Sequence, residues 1–343
     1  TVFGDAHYLK RLRSEGNGTG LRWAPIRRAA VTVAGGSQPA SVTTTDDLGH
    51  FQLSGVGPAP THIRLEARAR GGRLDVRVTN DDGVTWSAEA PVESPTLEVE
   101  DLYAAGAFNA LDAAERAMDA LPAGAPEDPI APLEIQWGPG TRPACGSCFY
   151  SSEFRLELSG VQGDIDAHDD SVVLHEIGHY VEGAFGVYSN PGGFHDLEPV
   201  APALAWSEGF ATWFESVVTG LPEYVDRQPT RVYRLNVESP PESAAGTSVA
   251  GNPNASISEA LVYGALWDLV DDPENDDDSA HEPAHVVLLA ALTLHGDANA
   301  DDDGPTGADL TDLLRRVACQ LSDRPALQAV LDAFQFPWTV ACP

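Results

Sequence analysis

The stretch His175-Glu176-Ile177-Gly178-His179 has the form H-E-x-x-H and decides how the rest of the chain is interpreted. On an α-helix, residues four apart lie on the same face about one turn from each other, so both imidazoles could bind one Zn²⁺ ion. Glu176 would then lie beside the open coordination position of the ion. In zinc hydrolases the metal lowers the pKa of a water to about 7, and a glutamate takes the proton of that water. The alternative is that two histidines and a glutamate coincide by chance on a surface helix.

The flanking sequence predicts the helix that this spacing requires. Asp169, Asp170 and Ser171 are N-cap candidates just before an apolar repeat begins. The repeat places one set of apolar side chains on one face: Val173, Leu174, Ile177, Tyr180 and Val181. The helix could therefore pack on that face and direct His175, Glu176 and His179 towards a cleft.

The third ligand distinguishes between families of zinc peptidases. The metzincin extension H-E-x-x-H-x-x-G-x-x-H is excluded, because the chain has Glu182 and Phe185 at the positions of its glycine and its last histidine. Glu208 lies 29 residues after His179 in a second helical pattern and could complete a His₂Glu site. His195, in the Gly/Pro-rich loop between the two patterns, is the rival third ligand or a donor to an oxyanion.

The second helical pattern has a polar face of its own. Glu208, Thr212 and Glu215 share this face, opposite Phe210, Trp213 and Phe214. Glu215 is therefore a candidate hydrogen-bond partner for one of the ligating histidines.

The two helical patterns together resemble the gluzincin zinc peptidases, especially those similar to aminopeptidase N. H-E-x-x-H is followed by the segment Trp206-Ser-Glu-Gly-Phe-Ala211, which is similar to the segment that carries the third ligand of that family. The resemblance covers roughly residues 165 to 218. It implies that His175, His179 and Glu208 bind zinc and that Glu176 is the general base.

The same resemblance suggests further roles and one difference in specificity. It implies that Tyr263, in the apolar helical segment Ser256 to Val270, donates a hydrogen bond to the oxyanion; a tyrosine in the protein core is the alternative. It also implies that Glu153 to Ser159 forms the sheet edge along which a peptide lies. The chain lacks a G-x-M-E-N segment, which holds the free amino group of the substrate in the aminopeptidases. We therefore expect an endopeptidase.

Residues 1 to 100 have the pattern of short strands. Alternating segments are separated by Gly, Pro and Asp turn signals. The segments from Arg28 to Val33 and from Thr45 to Leu53 resemble transthyretin-like or carboxypeptidase-regulatory-like domains. We predict an α+β protein with a small N-terminal β-sandwich at 1–100. A mainly helical zincin-type catalytic domain with a mixed β-sheet edge would follow at 101–343.

Charge and composition exclude several partners and indicate a compartment. The 343 residues carry a formal charge of −32, which argues against binding to nucleic acid or to an anionic membrane surface. No run of 18 apolar residues occurs, so no membrane span is predicted. The first residue is Thr1 rather than methionine, which suggests a trimmed product of a secreted precursor. We therefore expect a secreted, periplasmic or cell-surface protein.

The four cysteines fit an oxidising compartment. Three pairings are open, and proximity in sequence favours Cys145 with Cys148 and Cys319 with Cys342. A four-cysteine zinc site and a redox-active Cys145-Cys148 pair are disfavoured, because the second pair lacks C-x-x-C spacing and no βαβ pattern surrounds the first.

An acidic loop near the C-terminus is a candidate Ca²⁺ site. The segment Asp297 to Gly304 has acidic or amide side chains at alternate positions and partly resembles an EF-hand-like or dockerin-like loop. The closing carboxylate is displaced, since Ala308 occupies its position and Asp309 is the nearest acid. A solvated acidic loop is the alternative.

The sequence thus favours a secreted zinc endopeptidase that acts on a protein or peptide, with a glycoprotein among the candidate substrates. A binding or adhesion protein with a structural or inactive zinc site is a second hypothesis, and a zinc hydrolase of glycopeptides is a third. Glu176 argues against the second, because a structural zinc site needs no base beside an open position. The oligomeric state is not predicted.

Overall fold

The computed structural model describes residues 1–12, 20–34, 42–56, 62–195, 197–271, 280–294, 307–321 and 323–340. Helices and strands are both abundant in these ranges, so the predicted α+β class is confirmed. The chain divides into two compact units. The first comprises Thr1–Met118, Glu127–Val173 and Val225–Tyr233, and the second comprises Asp119–Pro126, Leu174–Tyr224 and Arg234–Pro343. The predicted domain boundary near residue 100 stays a prediction.

The N-terminal strands form two four-stranded sheets. In the first sheet, the ten-residue strand β1 pairs with β10, β2 and β5; in the second, the order is β4-β3-β6-β9. The strands of the two sheets are β1 (Val2–Arg11), β2 (Leu21–Pro25), β3 (Ala30–Ala34), β4 (Thr43–Thr44), β5 (His50–Leu53), β6 (His62–Glu66), β9 (Ser87–Pro91) and β10 (Thr96–Val99). Alternate side chains of β1 and β5 are buried, which is the pattern of strands with one face in a core.

A third sheet mixes parallel and antiparallel strands in the order β12-β13-β11-β8-β7. Its strands are β7 (Arg68–Gly71), β8 (Leu74–Thr79), β11 (Leu133–Gln136), β12 (Cys148–Tyr150) and β13 (Arg155–Glu157). β13 pairs with β11 on one side and with β12 on the other. The prediction that Glu153 to Ser159 forms a sheet edge is therefore wrong: Cys148–Tyr150 folds back beside β13 and forms that edge instead.

Seven α-helices are found in the described residues. They are α1 (Leu102–Ala120), α2 (Asp170–Phe185), α3 (Pro202–Thr219), α4 (Glu259–Asp268), α5 (Ala284–Leu292), α6 (Leu310–Val317) and α7 (Arg324–Ala333). Short hairpins are formed by β14 (Gly160–Val161) with β15 (Asp164–Ile165) and by β16 (Glu223–Gln228) with β17 (Arg231–Asn236). Asp309, considered above as a Ca²⁺ ligand, instead caps α6: its Oδ1 accepts a hydrogen bond from the amide of Thr311 at 2.8 Å.

A buried network of charges in the first unit holds the start of α2. Asp112 of α1 accepts hydrogen bonds from Lys10 at 3.2 Å, Arg27 at 3.0 Å and Arg116 at 3.1 Å. Asp170, the first residue of α2, lies 3.1 Å from Lys10 and 2.9 Å from Arg116. The single lysine of the chain is thus buried between two carboxylates, which compensate the cost of removing its charge from water.

The structure describes one of the two predicted disulfides, and the predicted calcium loop lies outside the residues that it describes. The disulfide Cys145–Cys148 is present, with its Cα atoms 6.1 Å apart. Cys342 and the loop Asp297 to Gly304 lie outside the described residues. Among the helices that the structure describes, none is long and apolar enough to cross a membrane.

Candidate metal centre

The side chains of the candidate metal centre are on α3 and on the part of α2 from Leu174 onwards, both of which belong to the second unit. Pro202 begins α3, where its fixed φ is favourable and its missing N–H costs nothing. Gly220 ends α3 with a φ of 67°, a left-handed conformation that glycine adopts without strain. The two helices cross at Gly178: a Cβ atom there would lie 2.8 Å from the Cα of Ala211. The absence of a side chain at Gly178 therefore allows the two backbones to approach closely.

A second close approach fixes α3 against α4. A Cβ atom on Gly209, the residue after Glu208, would lie 2.5 Å from the Cβ of Val262 and 2.8 Å from the carbonyl oxygen of Glu259. α3 is thus confined on two sides by neighbouring helices, and Glu208 is positioned by a tightly packed backbone.

Three of the predicted residues converge on one point. The Nε2 atoms of His175 and His179 lie 3.3 Å and 3.2 Å from the same oxygen, Oε2 of Glu208. One ligand atom from each of these three residues lies within 4.8 Å of the others. Two imidazole nitrogens and a carboxylate oxygen make a donor set that Zn²⁺ prefers, so the residues fit the metal that the sequence predicts.

The outer nitrogens of the histidines are held by hydroxyl groups of α3. His175 Nδ1 lies 3.1 Å from Oγ1 of Thr212, and His179 Nδ1 lies 3.1 Å from Oγ of Ser207. Ser207 Oγ in turn donates to Oε2 of Glu182 at 2.6 Å, so it accepts from His179. Nδ1 of His179 therefore carries a proton, and Nε2 is the nitrogen that faces the cluster and would bind a metal.

The second oxygen of Glu208 is held in a similar way. The side-chain amide of Asn190 donates to Glu208 Oε1 at 2.9 Å. Oε2 is left to face the two histidines. One carboxylate oxygen is thus anchored by the protein, and the other is available to a cation.

Burial and charge together make the cluster favourable for a cation. Burial alone would raise the pKa of Glu208, but His179 and His175 hold it well below its usual range, so the carboxylate is ionised. Burial alone would lower the pKa of His179, but Glu208, Glu176 and Glu182 raise it to about 9. Burial lowers the pKa of His175, which keeps that ring neutral. The surrounding carboxylates thus stabilise positive charge, which a proton or a metal ion can supply.

His195 approaches the cluster from the loop between the helices. Its Nδ1 lies 2.7 Å from Oε2 of Glu259, and its Nε2 lies 3.6 Å from Oε2 of Glu208. The hydrogen bond with Glu259 raises the pKa of His195. His195 is half-buried and lies beside Glu208 instead of replacing it in the cluster. This position favours a role in which the Nε2–H group of His195 points into the site.

The structure buries Glu176 and Tyr263 as well. Glu176 is 7% exposed and is close enough to raise the pKa of both His179 and Tyr188. Tyr263 is 1% exposed and lies on α4, one turn after Glu259. That spacing places the two side chains on the same face of α4, and the role of Tyr263 as an oxyanion donor stays a prediction.

Several side chains around the cluster were not predicted from the sequence. The ring of Tyr188 lies edge-on to His179 at 6.1 Å, and the ring of Tyr224 lies edge-on to His175 at 6.1 Å. Asn190 and Ser207 were also missed, although both lie beside predicted residues. Glu215 was proposed as the partner of a ligating histidine, but Thr212 of the same face makes that contact instead.

One comparison relates this part of the chain to known proteins. Residues 125–286, a little under half of the chain, match the family model described as the mycolysin C-terminal domain. That domain occurs in thermolysin-like zinc metallopeptidases, and the matched residues include the whole cluster of His175, His179 and Glu208. A comparison with curated proteins gave no match.

Proposed function

We propose that this protein is a secreted zinc-dependent endopeptidase. The observation that carries the proposal is the convergence of His175 Nε2 and His179 Nε2 on Oε2 of Glu208 at 3.3 Å and 3.2 Å. The outer nitrogens of both rings are engaged by hydroxyl groups, which leaves the inner lone pairs for a metal. The match to a domain of zinc metallopeptidases supports the same conclusion.

His175, His179 and Glu208 would hold the zinc ion. When bound, zinc polarises the scissile carbonyl and lowers the pKa of water at the site. Asn190 and Ser207 keep the ligand atoms oriented through the hydrogen bonds described above.

Glu176 carries the proton transfers in this proposal. It takes a proton from the attacking water and then delivers that proton to the nitrogen of the leaving amine. Its burial keeps bulk water from competing for that proton.

His195 stabilises the negative charge that develops on the carbonyl oxygen. Its Nδ1 is held by Glu259, so its Nε2–H can donate towards the site. Tyr263 is the second candidate donor. Since Glu259 and Tyr263 share a face of α4, one helix would supply both the residue that orients His195 and the second donor.

A peptide library tests the proposal directly. The zinc-loaded full chain is incubated with peptides that are acetylated at the N-terminus and amidated at the C-terminus, and the new termini are mapped by mass spectrometry. We expect internal cleavage, because the chain lacks a segment that would hold a free amino group. A parallel incubation with Glu176→Gln controls for contaminating peptidases. Release of single N-terminal residues from unblocked peptides only would contradict the endopeptidase assignment, and no cleavage of any peptide would contradict the peptidase itself.

A further inference from the structure

A second cluster of carboxylates lies in the first unit, outside the candidate metal centre. One oxygen each from Asp164, Asp166 and Asp226 lies within 4.8 Å of the others. Asp164 belongs to β15, Asp166 begins the short 3₁₀ turn that follows, and Asp226 belongs to β16. Acidic clusters are common on protein surfaces, so the surroundings of these side chains decide whether the cluster could bind an ion.

Asp166 is the most buried of the three, with 5% of its surface exposed. Its Oδ2 accepts a hydrogen bond from Oγ of Ser147 at 2.5 Å. Its Oδ1 is enclosed and has no hydrogen-bond donor among the residues that the structure describes. Buried polar atoms are almost always paired, so this oxygen requires a partner that the described residues do not supply.

The other two carboxylates are held at one oxygen by neutral groups. Asp226 Oδ2 accepts from the side-chain amide of Gln228 at 2.7 Å, and Asp164 Oδ2 accepts from Oγ of Ser159 at 2.9 Å. The Oδ1 atom of Asp226 is enclosed and also has no donor within the described ranges. Hydroxyl and amide donors thus orient all three carboxylates without neutralising their charge.

The negative charge of the cluster is only partly balanced by the neighbouring cations. Within the described part of the chain, none of the three carboxylates has an ion pair with a lysine or arginine. Arg227, which follows Asp226 in sequence, pairs with Asp169 instead, at 2.6 Å. Burial raises the pKa of Asp166, the hydrogen bond from Ser147 lowers it, and the charges of Asp164 and Asp226 raise it, so that the pKa is about 8. The cluster therefore has no ion-paired counter-ion among the described residues, although Arg231 and Arg227 are close enough to lower the pKa of Asp226.

We propose that Asp164, Asp166 and Asp226 bind a Ca²⁺ ion. Ca²⁺ prefers carboxylate oxygens at about 2.3–2.6 Å, so oxygens on opposite sides of one ion can be about 5 Å apart. The separations of up to 4.8 Å in the cluster fall within this limit. The shorter bonds of Mg²⁺, about 2.0–2.1 Å, require oxygens to lie closer together. Water or backbone carbonyl oxygens complete the coordination.

The bound ion would stabilise the first unit at the segment that leads into α2. Asp166 lies four residues before Asp170, where α2 begins, and Asp226 lies on a strand that is distant in sequence. An ion shared by these residues crosslinks the two segments in the folded chain only, so Ca²⁺ should increase the stability of the protein.

Calcium titration of the full chain tests this site. The protein is stripped of metal, loaded with one equivalent of Zn²⁺ and titrated with CaCl₂ at pH 7.5 by isothermal titration calorimetry, and its Tm is measured by calorimetry with and without Ca²⁺. We expect one strong Ca²⁺ site per chain and an increase in Tm of several degrees. Asp166→Asn and Asp226→Asn should each abolish both effects.

Two controls make the result decisive. The double variant Asp301→Asn with Asp303→Asn removes carboxylates of the loop that the sequence suggests as a Ca²⁺ site, and it should bind Ca²⁺ as the unmodified protein does. Asp166→Asn replaces a buried carboxyl, whose pKa is raised to about 8, by a neutral amide of similar size, so without Ca²⁺ its circular dichroism and Tm should match or exceed those of the unmodified protein. The proposal is overturned if the unmodified protein shows no Ca²⁺ response, if Asp166→Asn and Asp226→Asn retain it, or if Mg²⁺ raises Tm equally.

Discussion

Nδ1 of His195 lies 2.7 Å from Oε2 of Glu259, a residue 64 positions later in the chain. This contact directs the other ring nitrogen of His195 towards Glu208, 3.6 Å away. His195→Ala should therefore lower kcat by about 10²–10³, the loss typical of one oxyanion donor, while zinc content stays at one per chain. Steady-state kinetics and metal analysis on one preparation measure both quantities. Depletion of zinc in this variant would show instead that His195 is a ligand.

Glu259→Gln separates the orienting contact from the donor itself. Glutamine still accepts a hydrogen bond from His195 but carries no charge. The pKa of His195 is raised chiefly by its hydrogen bond with Glu259, so it should fall in this variant. We expect a loss in kcat of about tenfold, smaller than that of His195→Ala, with KM little changed. An equal loss in the two variants would indicate that kcat depends on the charge of Glu259 and not on a hydrogen bond donated by the imidazole of His195.

Glu176→Gln should separate proton transfer from metal binding. Glutamine preserves the size of the side chain but cannot accept a proton near neutral pH. The rate should fall by at least about 10²–10⁴, the usual contribution of general acid–base catalysis. Zinc content and the circular dichroism spectrum should not change. Full activity in a zinc-replete sample of this variant would show that the cleavage comes from another protein or site, and would favour the binding-protein hypothesis.

Glu208→Ala should lower the zinc content below one per chain after dialysis. It removes the carboxylate of the cluster and leaves the half-buried His175 and the buried His179 facing each other. Elemental analysis after exhaustive dialysis measures the effect. Asn190→Ala is the matched control, because it loosens Glu208 but leaves every ligand in place. Full zinc occupancy in Glu208→Ala would rule out the His₂Glu assignment.

Ser207→Ala should weaken zinc binding by about 10- to 100-fold without removing a ligand. The variant breaks the chain of hydrogen bonds from Glu182 through Ser207 to His179. His179 then loses the contact that fixes its proton on Nδ1. Competition with a chromophoric chelator measures the dissociation constant. Ser207→Thr, which retains a hydroxyl, should restore much of the affinity if the hydrogen bond is the cause.

Asp112→Asn should destabilise the first unit by roughly 3 kcal/mol at pH 7, because it removes one of the two carboxylates that pair with Lys10 and Arg116. Burial would raise the pKa of Asp112, but Lys10, Arg116 and Arg27 hold it below its usual value. A lowered folded-state pKa means that its contribution is complete above the unfolded-state value of about 3.9 and is lost as the pH falls further. The difference in the free energy of unfolding between Asp112→Asn and the unmodified protein should therefore become smaller below about pH 4.

Urea unfolding at pH 7 and at pH 3 measures this difference. Asp128→Asn, at an exposed position, is the control and should change stability little at either pH. A constant difference between Asp112→Asn and the unmodified protein across the whole range would show that the effect is one of packing rather than of charge.

The helices of the candidate site could be predicted because their apolar repeats are long. α2 and α3 each show the helical period over several turns, and the positions of His175, His179 and Glu208 on one side follow from it. Contacts between loops could not be predicted. The pairing of His195 with Glu259 depends on the path of a Gly/Pro-rich loop. Such a loop has no periodic sequence pattern from which its path could be predicted.

The hydrogen bonds that hold the ligands depend on side-chain direction. Thr212 and Glu215 lie on the same face of α3. From the sequence, the carboxylate of Glu215 was the expected partner of a histidine. The reach and direction of the shorter Thr212 side chain decide the contact, and these become visible only when α2 and α3 are packed.

The sheet edge was misplaced for a related reason. Cys148–Tyr150 is only three residues long, too short to show an alternating pattern. Its pairing with β13 follows from a turn at residues 151–154, where Phe154 has a φ of 49°. A phenylalanine in the left-handed region gives no sequence signal for a turn, because glycine and asparagine are the usual residues there.

The contact between Gly178 and Ala211 restricts which sequences can form this site at all. In the bare pattern H-E-x-x-H, position 178 accepts any residue, but here even a methyl group would press on the backbone of α3. A mutational library of the two helices should therefore be depleted of every other residue at 178. It should tolerate only small residues at position 211, although neither Gly178 nor Ala211 takes part in the reaction. For a search of genomes, H-E-x-G-H followed by a small residue three positions after the ligand glutamate would be a more selective pattern than the five-residue signature.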